Sequence, residues 1–249
     1  MDKISVIIVN WNVAESLERC LKSLSATKYQ KLETIIIDNN SDIKPKGVTV
    51  QNKTNIGFPA AVNQGLARST GDLIVLLNPD TRVPKDFFTK GLEFFVTHPD
   101  AGVMGPKFTN PNGSAQGSVF PKPSVINTFR QFWLGQKGLT EKYTPAETCD
   151  VFAVSGGCMF IPRKTIEKIG LFTERLFMYY EDLDYCRRVH QAGLKVYFYP
   201  EITIVHEHGQ SSKQTSNSYK YLVESSIWFN GPIKHYLMWL IARTGQKFL

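Results

Sequence analysis

Three polar clusters stand directly after apolar runs in this 249-residue chain. Asn10-Trp11-Asn12 follows the run 4–9, Asp38-Asn39-Asn40-Ser41-Asp42 follows 32–37, and Asn78-Pro79-Asp80 follows 73–77. Amide and carboxylate groups placed this way can hydrogen-bond a small polar ligand. A carboxylate such as Asp80 suits a hard divalent cation held largely by substrate phosphates. Each cluster alone also reads as ordinary turn and N-cap chemistry. Three together favour a site, because parallel strands deliver their carboxyl ends to one rim. His206 closes a further strand-like run; an imidazole there is either a structural hydrogen-bonding group or a ligand for Mn²⁺.

A second cluster, Glu181-Asp182-Leu183-Asp184, opens a charged helical stretch that stops at Gly193. On a helix, Asp182, Cys186 and Val189 share a face. Acids gather at helix N-termini for dipole reasons alone, and the functional alternative is a general base. The helix terminus lowers a carboxylate pKa while like charges at Glu181 and Asp184 raise it, so the balance stays open in the sequence. Ser155-Gly156-Gly157 lies between two strand-like runs. It serves either close backbone approach to a ligand or a tight turn.

The elements that must carry these groups follow from hydrophobic period. Apolar β-branched runs at 4–9, 32–37 and 73–77, with a short one at 48–50, read as strands buried on both faces. Helical spacing falls at 14–24, 60–67 and 86–96, and a further strand at 102–104. This alternation argues for a parallel α/β sheet with helices on both faces. Residues 110–123 are rich in Gly, Pro, Ser and Asn and read as loop or hairpin, and 124–148 are weakly patterned. Strands are expected at 151–154, 158–161, 195–199 and 202–205, the last two around Pro200, and helices at 219–229 and 233–241.

Composition narrows the function classes. With 42% hydrophobic and 20% charged residues, the chain is globular rather than disordered. No apolar run approaches the roughly 20 residues of a membrane-spanning helix, and the first residues do not read as a signal peptide. Four cysteines without a CxxC pair argue against a zinc or redox motif and for reduced thiols, hence a cytoplasmic setting. There is no P-loop signature, no GxGxxG after the first strand and no GxSxG. The net charge of +7 concentrates towards the C-terminus, which reads as a solvated basic face or as an attraction to an anionic partner. Ile233, Tyr236, Leu237, Leu240 and Ile241 form an apolar stripe beside Lys234, Arg243 and Lys247. Such a helix lies on a membrane surface through 233–247, packs on the rest of the chain, or joins a homodimer. Basic residues beside an apolar stripe, rather than interleaved with exposed aromatics, speak against nucleic acid.

These residues together resemble the family 2 glycosyltransferases of GT-A fold, and more narrowly their bacterial rhamnosyltransferase-like branch. The matching pieces are 6–12, 37–41, Asn55-Ile56-Gly57-Phe58, Asn63-Gln64-Gly65, Gly71-Asp72 through Asn78-Pro79-Asp80, 155–158, 170–172, 177–184, and Val205-His206 with Gly209 and Ser211. The ordered set spans roughly residues 3–212. The resemblance implies a catalytic domain over 1–212, with a nucleotide-sugar half (1–105) and an acceptor half (106–212), followed by a helical extension (213–249). It implies a nucleotide-diphosphate sugar donor, dTDP- or UDP-linked, bound by Asn10, Asp38, Asn55, Gly57, Asn63, Asn78 and Asp80. It implies Mn²⁺ or Mg²⁺ on Asp80 and His206, with Asn78 standing where the family's DxD has its first Asp. Asp182 becomes the base of an inverting transfer, and Gly156, Gly157 and Glu181 face a saccharide or lipid-linked acceptor at the inner face of the cytoplasmic membrane. A sugar-1-phosphate nucleotidyltransferase would need a Gly-rich, Arg-containing loop where this chain has 10–15. A degenerate, non-catalytic binding protein is favoured by Asn78 alone.

Overall fold

The computed structural model describes residues 3–207 and 217–245. The chain runs β1 (Ile4–Asn10), α1 (Ala14–Ala26), β2 (Leu32–Asp38), β3 (Val50–Gln51), α2 (Phe58–Leu66), β4 (Leu73–Leu77), β5 (Thr81–Arg82), α3 (Phe87–Thr97) and β6 (Ala101–Thr109). It continues through β7 (Ala115–Gln116), β8 (Val119–Phe120), α4 (Val125–Leu134), β9 (Cys149–Asp150), β10 (Ala153–Val154), β11 (Cys158–Pro162), α5 (Arg163–Ile169), α6 (Glu181–Gln191) and β12 (Lys195–His206). Two helices, α7 (Ser218–Asn230) and α8 (Pro232–Gly245), close it. Gly209, Ser211, Lys213 and Lys247 lie outside the described residues.

The central sheet has the order β3-β2-β1-β4-β11-β6-β12-β5. β1 pairs in parallel with β2 and β4, which brings Asn10 opposite Asp38 at the carboxyl edge. Side chains alternate across the sheet, as strand period requires. Ile4, Val6 and Ile8 face one core with Leu17, Cys20 and Leu24 of α1, whereas Ile7 faces the other with Ala61, Val62 and Leu66 of α2. The runs buried on both faces thus need helices above and below.

The sheet is mostly parallel, as expected of the GT-A fold, with antiparallel members. β11 runs antiparallel to β4 and to β6, and β5 antiparallel to β12. An apolar run carries no information about strand direction; the connection decides it. β11 also inserts between β4 and β6, so both halves of the chain build one sheet, and the division at 105/106 falls inside β6. The strands expected on either side of Pro200 are one strand, β12, whose pairing with β6 shifts register between Tyr199 and Thr203. Proline is accommodated there because an irregular stretch omits a ladder bond.

The weakly patterned stretch contains a helix. α4 is capped at Ser124, whose Oγ accepts from Asn127 N, and ends at Gly135 in the left-handed conformation (φ 68°). Its buried residues are Thr128 and Gln131, while Ile126, Phe129, Trp133 and Leu134 are exposed. This inverted pattern hides the helix from a reading that seeks an apolar inner stripe.

Candidate active site

One cavity of about 940 Å³ opens at the strand ends and extends beneath the C-terminal helices. Asn39, Asn55, Asn78, Asp80 and His206 line its strand-end side. Lys142, Ser155, Gly156, Gly157, Glu181 and Asp182 line its middle, and Phe132, Leu139, Met238 and Trp239 its helical side.

The strand ends are locked by their own polar groups. Asp38 is fully buried. Its Oδ1 accepts from Asn10 Nδ2 (2.8 Å) and Ser41 Oγ (2.5 Å), and its Oδ2 from Ser41 N (3.0 Å) and Gln51 Nε2 (2.6 Å). Asn10 and Asp38 therefore lie under the cavity floor rather than on its wall, with Asn39 and Trp11 beside them on the wall. Asn39 in turn donates to Asn55 Oδ1 (2.7 Å) and accepts from Ile56 N. Asn63 turns away from the cavity: its amide donates to Phe172 O and Glu174 Oε1, and its Oδ1 accepts from Phe172 N. It braces α2 against the segment before α6. Gly57 is a backbone element. At φ 87° it has no Cβ, and one added there would stand 2.7 Å from Phe177 O.

That contact fixes the approach to the acidic pair. Phe58 N donates to Phe177 O (2.8 Å), and Tyr179 and Tyr180 both adopt left-handed backbone (φ 71° and 65°) immediately before α6. Two consecutive non-glycine residues in this region are strained, and the twist delivers Glu181 and Asp182 into the cavity. Asp182 Oδ2 accepts from Gly156 N (3.0 Å) and Oδ1 from Leu183 N (2.9 Å). A Cβ at Gly156 would lie 3.6 Å from Asp182 Cβ, an ordinary contact, so this glycine admits the carboxylate by its exposed N–H rather than by lack of space.

Burial raises the pKa of both Glu181 and Asp182, and Asp182 raises Glu181 further. Glu181 Oε2 is buried without a hydrogen-bond partner among the described residues, an arrangement a neutral carboxyl tolerates far better than a carboxylate. Against burial, the Lys142 ammonium and the two backbone N–H groups favour ionised Asp182. Lys142 was not singled out in the sequence. It bonds Ser155 Oγ (3.2 Å) and stands 4.3 Å from the centre of the Phe120 ring. Its side chain opens onto the cavity, and the crowding of the walls pushes its pKa down. The segment bearing it is pinned by Tyr143, paired with Val119, and by Gly117, where a Cβ would meet the Lys142 backbone at 2.7 Å. A lone lysine in an unpatterned stretch has no sequence signal; only the tertiary contact reveals it.

At the strand ends, Asp80 Oδ1 lies 3.4 Å from His206 Nε2, and both residues are buried. Gln116 sets the imidazole tautomer. Its amide NH₂ donates to Asn110 Oδ1 (2.9 Å), so its Oε1, 2.7 Å from His206 Nδ1, accepts the ring proton there. With the Nδ1 proton held by Gln116, Nε2 faces a carboxylate oxygen, an arrangement that suits a cation between them. No third His, Cys, Asp or Glu joins them among the described residues. A divalent ion here would draw on other oxygen ligands, as an ion shared with substrate phosphates does. Asn78 supports the same rim through its backbone, Asn78 N donating to Gly157 O (2.9 Å).

The mixed sheet, with a polar rim facing an acidic pair across one cavity, has a fold shared with solved glycosyltransferases of the GT-A class. The glycosyl transferase family 2 model matches residues 5–170, and the chain belongs to that family. It is 26% identical over 94% of its length to an N-acetylglucosaminyl-diphospho-decaprenol L-rhamnosyltransferase of Mycobacterium tuberculosis, covering 88% of that protein. Among solved structures it superposes on a Pyrobaculum calidifontis mannosyltransferase in complex with GDP-Man and Mn²⁺ with a TM-score of 0.65 at 16% identity, covering 98% of this chain and 72% of that one. It superposes on GalNAc-T7 with UDP, GalNAc and Mn²⁺ with a TM-score of 0.64 at 19% identity; there it covers 90% of itself but spans about half, 47%, of the other chain. The activity that accompanies membership is transfer of a sugar from a nucleotide sugar.

Proposed function

We propose that this protein is an inverting hexosyl- or rhamnosyltransferase, moving a sugar from a dTDP- or UDP-sugar to a hydroxyl of a lipid-linked saccharide in cell-surface glycan synthesis. The observation that carries this reading is Asp182. It is a buried carboxylate held by two backbone N–H groups, and it shares a cavity with the Asn78–Asp80–His206 rim. The donor's diphosphate would rest at that rim and its nucleoside along Trp11, Asn39 and Asn55. Asp182 accepts the proton of the acceptor hydroxyl as that oxygen bonds the anomeric carbon from the face opposite the diphosphate. The bond from the anomeric carbon to the diphosphate oxygen breaks, and the nucleoside diphosphate leaves with the electron pair. A single displacement inverts the anomeric centre and needs no enzyme nucleophile.

Asp80 and His206 are the residues that would hold Mn²⁺ or Mg²⁺, whose charge would stabilise the departing diphosphate. The lipid-linked acceptor is supported by the rhamnosyltransferase relative, whose name specifies a diphospho-decaprenol. The cavity agrees with it, passing from polar walls at Glu181 to apolar ones at Phe132, Leu139 and Met238.

The experiment is thermal stabilisation by dTDP, UDP, GDP and CDP, each with and without Mn²⁺. Saturation at 100 times the dissociation constant stabilises by about 2.7 kcal/mol. A shift with dTDP or UDP supports the donor assignment, and one that needs Mn²⁺ supports the metal pair. A shift with GDP or CDP alone refutes the donor class, and no shift at all refutes the donor site.

A further inference from the structure

The helix α4 is built inside out. Its polar Thr128 and Gln131 are buried, whereas Ile126 is 69% exposed and the Phe129 and Trp133 rings stack outward at 5.9 Å. The neighbouring α8 repeats the arrangement, burying His235 and Gly245 while Ile233 is 85%, Tyr236 56% and Leu240 51% exposed. The two helices pack on each other: Trp133 Nε1 donates to Ile241 O (3.1 Å), and a side chain at Gly245 would collide with the Phe132 backbone. Their inner sides, through Thr128, Phe132, Met238 and Ala242, form the wall of the active-site cavity. Soluble proteins do not leave paired helices with their apolar residues outward without a partner for them.

The charges around this face say which partner. Arg130 and Lys137 are exposed on and just beyond α4, and Arg243 stacks on Trp239 at 4.9 Å. Lys122 and Lys234 lie at the mouth where α4 begins. Burial and then the Lys122 charge lower the pKa of Lys234, whose ammonium donates to Pro123 O (2.8 Å). Cations crowded beside exposed Trp, Tyr and aliphatic side chains complement a bilayer interface carrying anionic headgroups. A second copy would bring the same cations face to face.

We propose that the outer face of the α4–α8 pair docks the protein on an anionic membrane surface, with the cavity directly behind it. This deepens the reading of a lipid-linked acceptor. The apolar residues enter the headgroup region, the lysines and arginines meet lipid phosphates, and an acceptor head group reaches Asp182 without its lipid leaving the bilayer.

The test is co-flotation of the full chain with phosphatidylcholine vesicles, with and without phosphatidylglycerol. The vesicles carry no acceptor, so this result stands apart from the success or failure of the transfer reading. Wild-type protein should float with the anionic vesicles. A variant with Ile126→Ser, Phe129→Ser, Ile233→Ser and Leu240→Ser should float about tenfold less. A second variant, Arg130→Glu with Lys137→Glu, keeps the apolar face and should also lose binding. Brominated lipid should quench wild-type fluorescence, and the quenching should fall in Trp133→Phe. Absence of wild-type binding, or equal flotation by the charge-reversed variant, overturns the proposal. Equal binding to neutral vesicles overturns the anionic surface. A wild-type dimer in sedimentation velocity that the serine variant abolishes assigns the face to a second copy and likewise overturns it.

Discussion

Asp182 receives the Gly156 N–H at 3.0 Å across the gap between α6 and the turn before β11. Ser155, one residue earlier in that turn, receives the Lys142 ammonium. One turn thus holds both an acidic group and the cation that stabilises its charge. Asp182→Asn preserves the shape and removes the proposed base. Nucleotide affinity should stay near wild type while turnover falls by about 10²- to 10⁴-fold, the range for loss of a general base. Isothermal titration and a transfer assay separate the two, and transfer at near wild-type rate refutes the assignment.

Lys142→Met should act on pH dependence. The positive charge favours the ionised form of Asp182 and of Glu181, so removing it raises the pKa of the pair. The acidic limb of kcat/KM should move to higher pH by about one unit, the lower end of the effect of a nearby opposite charge. Activity would then be lost first on the acid side and recovered as pH rises. Lys142→Arg should restore the limb. An unmoved profile in the Met variant would show that the lysine serves another purpose, such as binding substrate.

Gln116 orients His206 without lining the cavity. Gln116→Leu removes the acceptor at Nδ1 and should weaken Mn²⁺-dependent nucleotide binding by about 10- to 100-fold, as loss of partners behind metal ligands does. Asp80→Ala should abolish the Mn²⁺ dependence. Nucleotide titrations with and without the ion provide the readout.

Asp184, two residues after Asp182 on α6, does structural work. Its carboxylate is 2% exposed, accepts from Thr173 Oγ1 (2.7 Å), and pairs with Arg187 (2.7 Å) and Arg188 (3.2 Å). Arg187 also donates to Phe229 O (3.1 Å), linking α6 to α7. Asp184→Ala removes the shared acceptor of Thr173, Arg187 and Arg188, while both guanidinium groups keep backbone acceptors at Phe229, Ile169 and Leu171. It should cost about 1–3 kcal/mol in urea unfolding, the range for a lost hydrogen-bond partner.

Gly57→Ala should be worse than Gly156→Ala. The first places a Cβ 2.7 Å from Phe177 O at φ 87°, and the second meets nothing closer than 3.6 Å. We expect Gly57→Ala to lower the melting midpoint and to disturb the loop that aims Asp182, with Gly156→Ala keeping wild-type stability. Thermal melts of the pair decide it.

The runs of β1, β2 and β4 and their polar ends were legible because strands buried on both faces read as near-continuous hydrophobic runs, broken here only at Ser5, Glu33 and Thr34. Asn10, Asp38, Asn78 and Asp80 could therefore be placed at one rim from local order alone. Whether each reaches the cavity was not legible. Asp38 is consumed by Asn10, Ser41 and Gln51, and Asn63 by Phe172 and Glu174. Those partners come from other elements, so spacing along the chain is silent about them. The reversed direction of β11, the inverted face of α4, and the meeting of Lys142 with Ser155 share this origin. Periodicity reports which residues avoid water, because burial acts on each element separately. Strand direction, side-chain partners and the lining of a cavity depend on contacts between distant segments, and those exist only once the sheet has assembled.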